Sequence, residues 1–275
     1  MRHIGAVPFQ RCPSCRRSWK YGVSRSFSEV TLSKGRMEEF MRAEMNYFAQ
    51  KQQQPVKLEE IVSVTAPLDV AKLVHEDLPL HFAHRLKLMT KVPDWQRCPE
   101  LVTLHEVFDE SFRDLRLVEP TSSDLRGFTQ VVNTLRQRHK KVLPLLGQAV
   151  QRLYREGFME EAGLNSWVDE FMTSRISTEM LTSHYVACIE DDNPQAMAES
   201  WWGPDLSVPQ KATGIVDTEC DPAEICYQAA AAVQRSFCTP WPDSQVVIQV
   251  EKASNDSIGF CYISKYLFFI LEELL

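Results

Sequence analysis

Two short stretches hold residue types that could do chemistry. Leu135-Arg136-Gln137-Arg138-His139 puts two guanidinium groups beside an imidazole, and Arg175 stands in a second stretch, Trp167 to Val186. Paired guanidinium groups in a dry helical seam suit a bidentate carboxylate contact. His81 and His84 stand three apart, the spacing of ligands on one helix face, but no third ligand accompanies them, and surface or capping roles fit better. Cys12 and Cys15 form a lone CxxC that no second cysteine or histidine pair completes, so neither metal nor disulfide is assigned.

The elements that must position these groups read as helices. Leu164, Trp167, Val168, Phe171, Met172, Ile176, Met180 and Leu181 recur at three-and-four spacing, which places them on one face with Arg175 near its edge. The upstream stretch sets Arg136, Arg138 and His139 beside Val132, Leu135, Val142 and Leu143. Two apolar-faced helices that each bring charge toward their seam indicate a polar site inside a bundle. Further helices are expected over 35–51, 57–63, 67 to about 91, and 99 to about 118. The last turns Leu101, Leu104, Val107, Phe108, Phe112 and Leu115 inward. Thr121 to Asp124 offers cap residues for a long helix running to about 157, which Pro144 should kink just after His139. Gly157 and Gly163 flank a short junction. Helices of this length with short joints predict an antiparallel four-helix bundle over 35–190.

The pattern then changes. Residues 191–211, with Pro194, Pro204, Pro209 and the Trp201-Trp202 pair, read as a linker loop. Gly214 to Thr218 is a short extended entry, and Asp221-Pro222 starts a helix to about 238. Residues 245–251 (QVVIQVE) read as a strand, 259–263 as another, and an apolar helix begins at Tyr266.

SRISTEML followed by SHY, with LRQRHKKVLP before it, resembles the mitochondrial pyruvate dehydrogenase kinase and branched-chain α-ketoacid dehydrogenase kinase family, over roughly residues 35–275. The resemblance implies a mostly α fold: a regulatory helical bundle, then over 212–275 the incomplete start of an α/β ATP-binding domain of the histidine-kinase/gyrase/chaperone type. SKYLFFILEELL resembles the first ATP-site helix of that domain. Glu273 matches the family's proposed general base for the substrate serine, and His139 matches a histidine that contacts and orients it. Arg136, His139 and Arg175 match residues lining a pocket for carboxylate effectors such as ketoacids. Glu179 stands where several family members carry an arginine, which would repel an anionic effector; equally, Arg136 and Arg175 could pair with Glu179 or another bundle acid.

The family uses ATP and Mg2+. Its later motifs, the lid glycines, the magnesium asparagine and the adenine-binding aspartate, are not in this sequence. The expectation is therefore a kinase by descent that does not bind ATP or transfer phosphate alone. The implied partners are the dehydrogenase subunit as substrate, the lipoyl domain of the complex core, and a second copy as a homodimer. The alternative is a non-catalytic adaptor that binds the lipoyl domain or dimerises with a full-length kinase. Pyruvate and branched-chain complexes are not distinguished.

Composition narrows the classes further. A chain of 275 residues that is 44% hydrophobic and 24% charged can build a core and is not globally disordered. No run is long and apolar enough for a membrane span. Residues 1–27 carry Arg2, Arg11, Arg16, Arg17, Lys20 and Arg25 without one acid, on a chain whose net charge is −7. An Arg- and Ser-rich leader of this kind predicts a mitochondrial transit peptide cleaved after Phe27, and a matrix location. A basic nucleic-acid-binding arm is the alternative, against which the acidic remainder argues.

Overall fold

Helix formation in this chain begins at well-marked starts. The computed structural model describes residues 33–53, 57–121, 125–190, 212–236, 248–251 and 259–275. Ser33 caps α1 (Lys34–Phe48) by accepting the Arg36 N–H. In α2 (Leu58–Ser63) Glu60 reaches back to the Lys57 N–H. Pro67 opens α3 (Pro67–Thr90) and Pro99 opens α4 (Pro99–Arg116), where a missing N–H costs nothing. All six residues expected to face inward on α4 are buried.

The long helix expected to 157 is two helices. α5 (Arg126–His139) stops, Lys140 and Lys141 turn, and α6 (Val142–Arg155) begins. Pro144 is the third residue of α6. The first four N–H groups of a helix have no intrahelical acceptor, so proline fits there, and the chain restarts rather than kinks. The α5 N-cap position is Leu125; the expected cap residues Ser122 to Asp124 lie outside the described residues. Gly157 takes a left-handed φ of 69° and ends the α6 turn. Gly163 is not a junction residue, because α7 runs from Glu161 to Glu190.

α3 is the hub, packed along α4 and α7. The main core draws on six helices: Met41 and Phe48 of α1, Leu78 and Phe82 of α3, Phe108 and Phe112 of α4, Phe128 and Leu135 of α5, Leu146 and Leu153 of α6, and Trp167 and Phe171 of α7. The Trp167 indole donates to the Leu88 carbonyl at 3.1 Å, fixing α7 against the end of α3. The apolar stripe of α7 does not run true to its sequence. Ile176 is exposed, while Arg175, Thr178, Glu179 and Thr182 face inward. The inward line continues Trp167, Phe171, Arg175, Thr178, Thr182 and Tyr185, so its middle is polar.

The remainder is a small antiparallel sheet and two helices: β1 (Ala212–Thr213), β2 (Val216–Cys220), α8 (Pro222–Ser236), β3 (Phe260–Tyr262) and α9 (Ser264–Leu274), with strand order β1-β2-β3. Asp221 accepts the Ala223 N–H at 2.9 Å and starts α8. Cys220, Ile225, Ala229 and Phe268 form its core. Residues 248–251 are not a strand; 245–247 lie outside the described residues, as do the leader with Cys12 and Cys15 and the loop 191–211. A third apolar cluster joins the two parts: Ile61 of α2, Met180 of α7, Val216 of β2, Ile263, and Tyr266 of α9. Among the described residues no helix is long and apolar enough to cross a membrane.

Candidate functional site

The polar middle of α7 meets α3, α4 and α5, and the residue at the centre of that seam is Arg85. It lies on the apolar face of α3, three residues after Phe82 and three before Leu88, and is 1% exposed. Its guanidinium rests on three rings, with Cζ 4.5 Å from the centroid of Phe108, 5.3 Å from Phe171 and 5.8 Å from Phe82. Nη2 donates to the hydroxyls of Ser174 at 2.9 Å and Thr178 at 3.3 Å. Nε and Nη1 are buried without a hydrogen-bond acceptor, and among the described residues no carboxylate pairs with Arg85. Burial first, and then the charge of Arg175, push its pKa down to about 9, which leaves it charged at neutral pH.

Arg175, expected near the stripe's edge, is 3% exposed, well inside the seam. Burial lowers its pKa, and Glu179, one turn along α7 and itself buried, opposes that shift. Glu179 accepts the Ser183 hydroxyl at 3.3 Å. It also raises the pKa of Tyr266 on α9, after burial, the larger cause.

His139 ends α5 and is buried against Phe82 and Phe108. Its Nε2 lies 3.0 Å from Ser111 Oγ. Burial pushes its pKa well down, assisted by Arg85, Arg175 and Arg138, so the ring is neutral. Arg138 is held at the rim by Asp114 at 2.7 Å and Glu110 at 3.3 Å.

The structure thus brings His139 and Arg175 into one seam and adds Arg85. Arg136 is half-buried and has no hydrogen-bond or ion-pair partner among the described residues. Glu273 is exposed on the last turn of α9, and His139 is hydrogen-bonded to Ser111 rather than to it. α9 packs on α8 and β2. The histidines on α3 divide: His81 is buried, with Nδ1 3.3 Å from the Gln53 amide, against its expected surface place, whereas His84 caps the Lys51 carbonyl at 2.7 Å. Reading by motif missed Arg85. Its signal was an arginine spaced with Leu78, Phe82 and Met89 on the buried side of an apolar helix.

Chemically, the seam is an aromatic-walled, positively charged site suited to a carboxylate. A profile described as mitochondrial branched-chain alpha-ketoacid dehydrogenase kinase matches residues 44–217, which include all the seam residues. The mitochondrial pyruvate dehydrogenase (acetyl-transferring) kinase of Arabidopsis thaliana is 26% identical over 210 residues, 74% of this chain and 52% of that protein. Isozyme 3 of Homo sapiens is 26% identical over 73% of this chain and 49% of its own length. Human isozyme 1 is 22% identical over 92% of this chain and 59% of its own length. The chain spans about half the length of the curated relatives it matches.

Proposed function

The chain belongs to the mitochondrial branched-chain α-ketoacid dehydrogenase kinase and pyruvate dehydrogenase kinase family, and from that premise we propose that it serves an α-ketoacid dehydrogenase complex in the mitochondrial matrix as a protein-serine kinase. The match over 44–217, spanning the whole polar seam, carries this reading. Residues 35–190 are the regulatory helical-bundle domain, 212–275 belong to the ATP-binding domain, and 1–27 are the transit peptide. The partners are the dehydrogenase subunit, as substrate, and the lipoyl domain of the complex core.

ATP with Mg2+ supplies the γ-phosphoryl group and neutralises its charge when bound. Glu273 is the general base. Its exposed carboxylate is open to a hydroxyl from another protein and would take the serine proton as the serine oxygen attacks the γ-phosphorus, the bond to the β–γ bridging oxygen breaks and ADP leaves. Arg136, His139 and Arg175 belong to a carboxylate effector site that regulates the transfer. An orienting role for His139 toward Glu273 needs a contact that Ser111 occupies in this arrangement.

The test is incubation of the chain with labelled ATP, Mg2+ and, separately, pyruvate and branched-chain dehydrogenase complexes. Label on a serine of one dehydrogenase, lost with Glu273→Gln, supports the kinase and identifies its complex. Binding to a lipoyl domain with no labelled serine replaces the kinase by a non-catalytic adaptor. Neither label nor binding overturns both.

A further inference from the structure

We propose that His184 is the pin of a proton-sensitive joint between the helical bundle and the small sheet: the β1–β2 turn docks on α7 while the imidazole is neutral and lifts away when the ring takes a second proton. His184 is the histidine of the SHY stretch, which the kinase reading leaves without a role. The inference does not depend on that reading.

His184 is wholly buried where α7, the end of α2 and the β1–β2 turn meet. Its Nε2 lies 3.1 Å from the Val64 carbonyl. A carbonyl only accepts, so the neutral ring donates through Nε2–H and leaves Nδ1 bare. Gly214 closes over that bare nitrogen: a Cβ at this position would overlap Nδ1 and reach to 2.5 Å from Cε1. The Cys188 thiol stands 3.9 Å from Nδ1, too weak and too distant to receive a new N–H. The carboxylates on the same elements are engaged elsewhere. Glu60 of α2 accepts the Lys57 N–H, Asp217 of β2 accepts Ser264 and the Glu219 N–H, and Glu179 of α7 accepts Ser183. The buried apolar residues that join the two parts are Ile61, Val216 and Ile263, a small cluster beside the main core.

A second proton would therefore put a charge into a closed joint and point an N–H at Gly214. Both costs vanish when the turn lifts and water reaches the ring. Burial lowers the pKa of His184 from 6.5 and outweighs the carbonyls of Val64 and Ile61, which raise it. The separated form, with its ring in water, then binds the proton more readily than the closed one. Docking is at full strength above about pH 6.5 and weakens as the pH falls below it.

The experiment uses three buried thiols of the full chain. Cys188 lies under the turn, its Sγ 3.0 Å from where a Cβ of Gly214 would stand, whereas Cys98 belongs to the bundle core and Cys220 to the core of the second part. Labelling with 4,4′-dithiodipyridine, read by peptide mass mapping and normalised to the unfolded chain at each pH, reports which of them opens. Cys188 should react about tenfold faster at pH 5.5 than at pH 7.5, with Cys98 and Cys220 unchanged. His184→Gln keeps an N–H for Val64 and cannot take the proton, so it should abolish that dependence. Should this variant not fold, nitrogen-15 titration of the wild-type ring replaces it, and its midpoint should lie below 6.5. Faster labelling of all three thiols together would mean acid unfolding and overturn the joint. So would Cys188 labelling that ignores pH, a pH dependence that survives in His184→Gln, or a ring midpoint at or above 6.5.

Discussion

Ser111 Oγ lies 3.0 Å from Nε2 of His139 and 2.7 Å from the Val107 carbonyl. A hydroxyl has one proton, and here it goes to Val107, so Ser111 accepts from His139 and from Arg138 Nη1 at 3.1 Å. This assigns the Nε2–H tautomer to a neutral His139 and leaves Nδ1 as the acceptor. A serine on α4 thereby fixes the chemistry of the histidine on α5.

Ser111→Ala removes one acceptor from two buried or half-buried donors and should cost about 1–3 kcal/mol. Urea denaturation measures the cost, and nitrogen-15 spectra of the histidine ring report the tautomer. A wild-type Nδ1–H tautomer would contradict the assignment.

Acid should destabilise the fold. Burial lowers the pKa of His75, His105, His139 and His184, and takes His81 down to about 4, with Arg85 and then His84 adding to the shift of His81. These folded-state values lie below the unfolded value of about 6.5, so between the two the unfolded chain binds more protons. The stability is fully present above about pH 6.5 and is lost as pH falls, for His81 across the window down to about 4. Thermal midpoints should fall between pH 7.5 and 5, with a shallower slope for His81→Asn. A flat profile would rule this out.

Gly214 sits in the β1–β2 turn at φ 60°, and a Cβ there would come 3.0 Å from Cys188 Sγ and closer still to the His184 ring. Gly214→Ala therefore strains the backbone and collides with α7, and should cost about 2–4 kcal/mol. Hydrogen exchange should show the loss first in β1 and β2. Unchanged stability would mean that this turn does not press on α7.

Glu44 of α1 takes Arg116 of α4 at 2.6 Å, with the side chains 16% and 18% exposed and the guanidinium over Phe48. Arg116→Met keeps the packing and removes the pairing. It should cost about 1–2 kcal/mol, being less screened than a surface pair, and speed hydrogen exchange across residues 34–48. No change in α1 exchange would assign its docking to apolar contact alone.

Much of this protein was decided locally and could be read from the chain. Proline and cap residues marked the starts of α3, α4 and α8, and three-and-four spacing identified the buried face of α4 outright, because a helix needs only its own neighbours to form and orient. The motifs around His139 and Arg175 fall in one buried seam of the fold. What the tertiary structure alone decided is which polar groups meet there. Arg85 reaches Ser174 and Thr178 across 89 and 93 residues of sequence, and no periodicity encodes that meeting. The same packing turned Ile176 out and Arg175, Thr178 and Glu179 in, against the hydrophobic pattern of α7. A helix face is chosen by the partners that close over it, and where those partners supply rings and hydroxyls, a charge can lie at the centre of the fold.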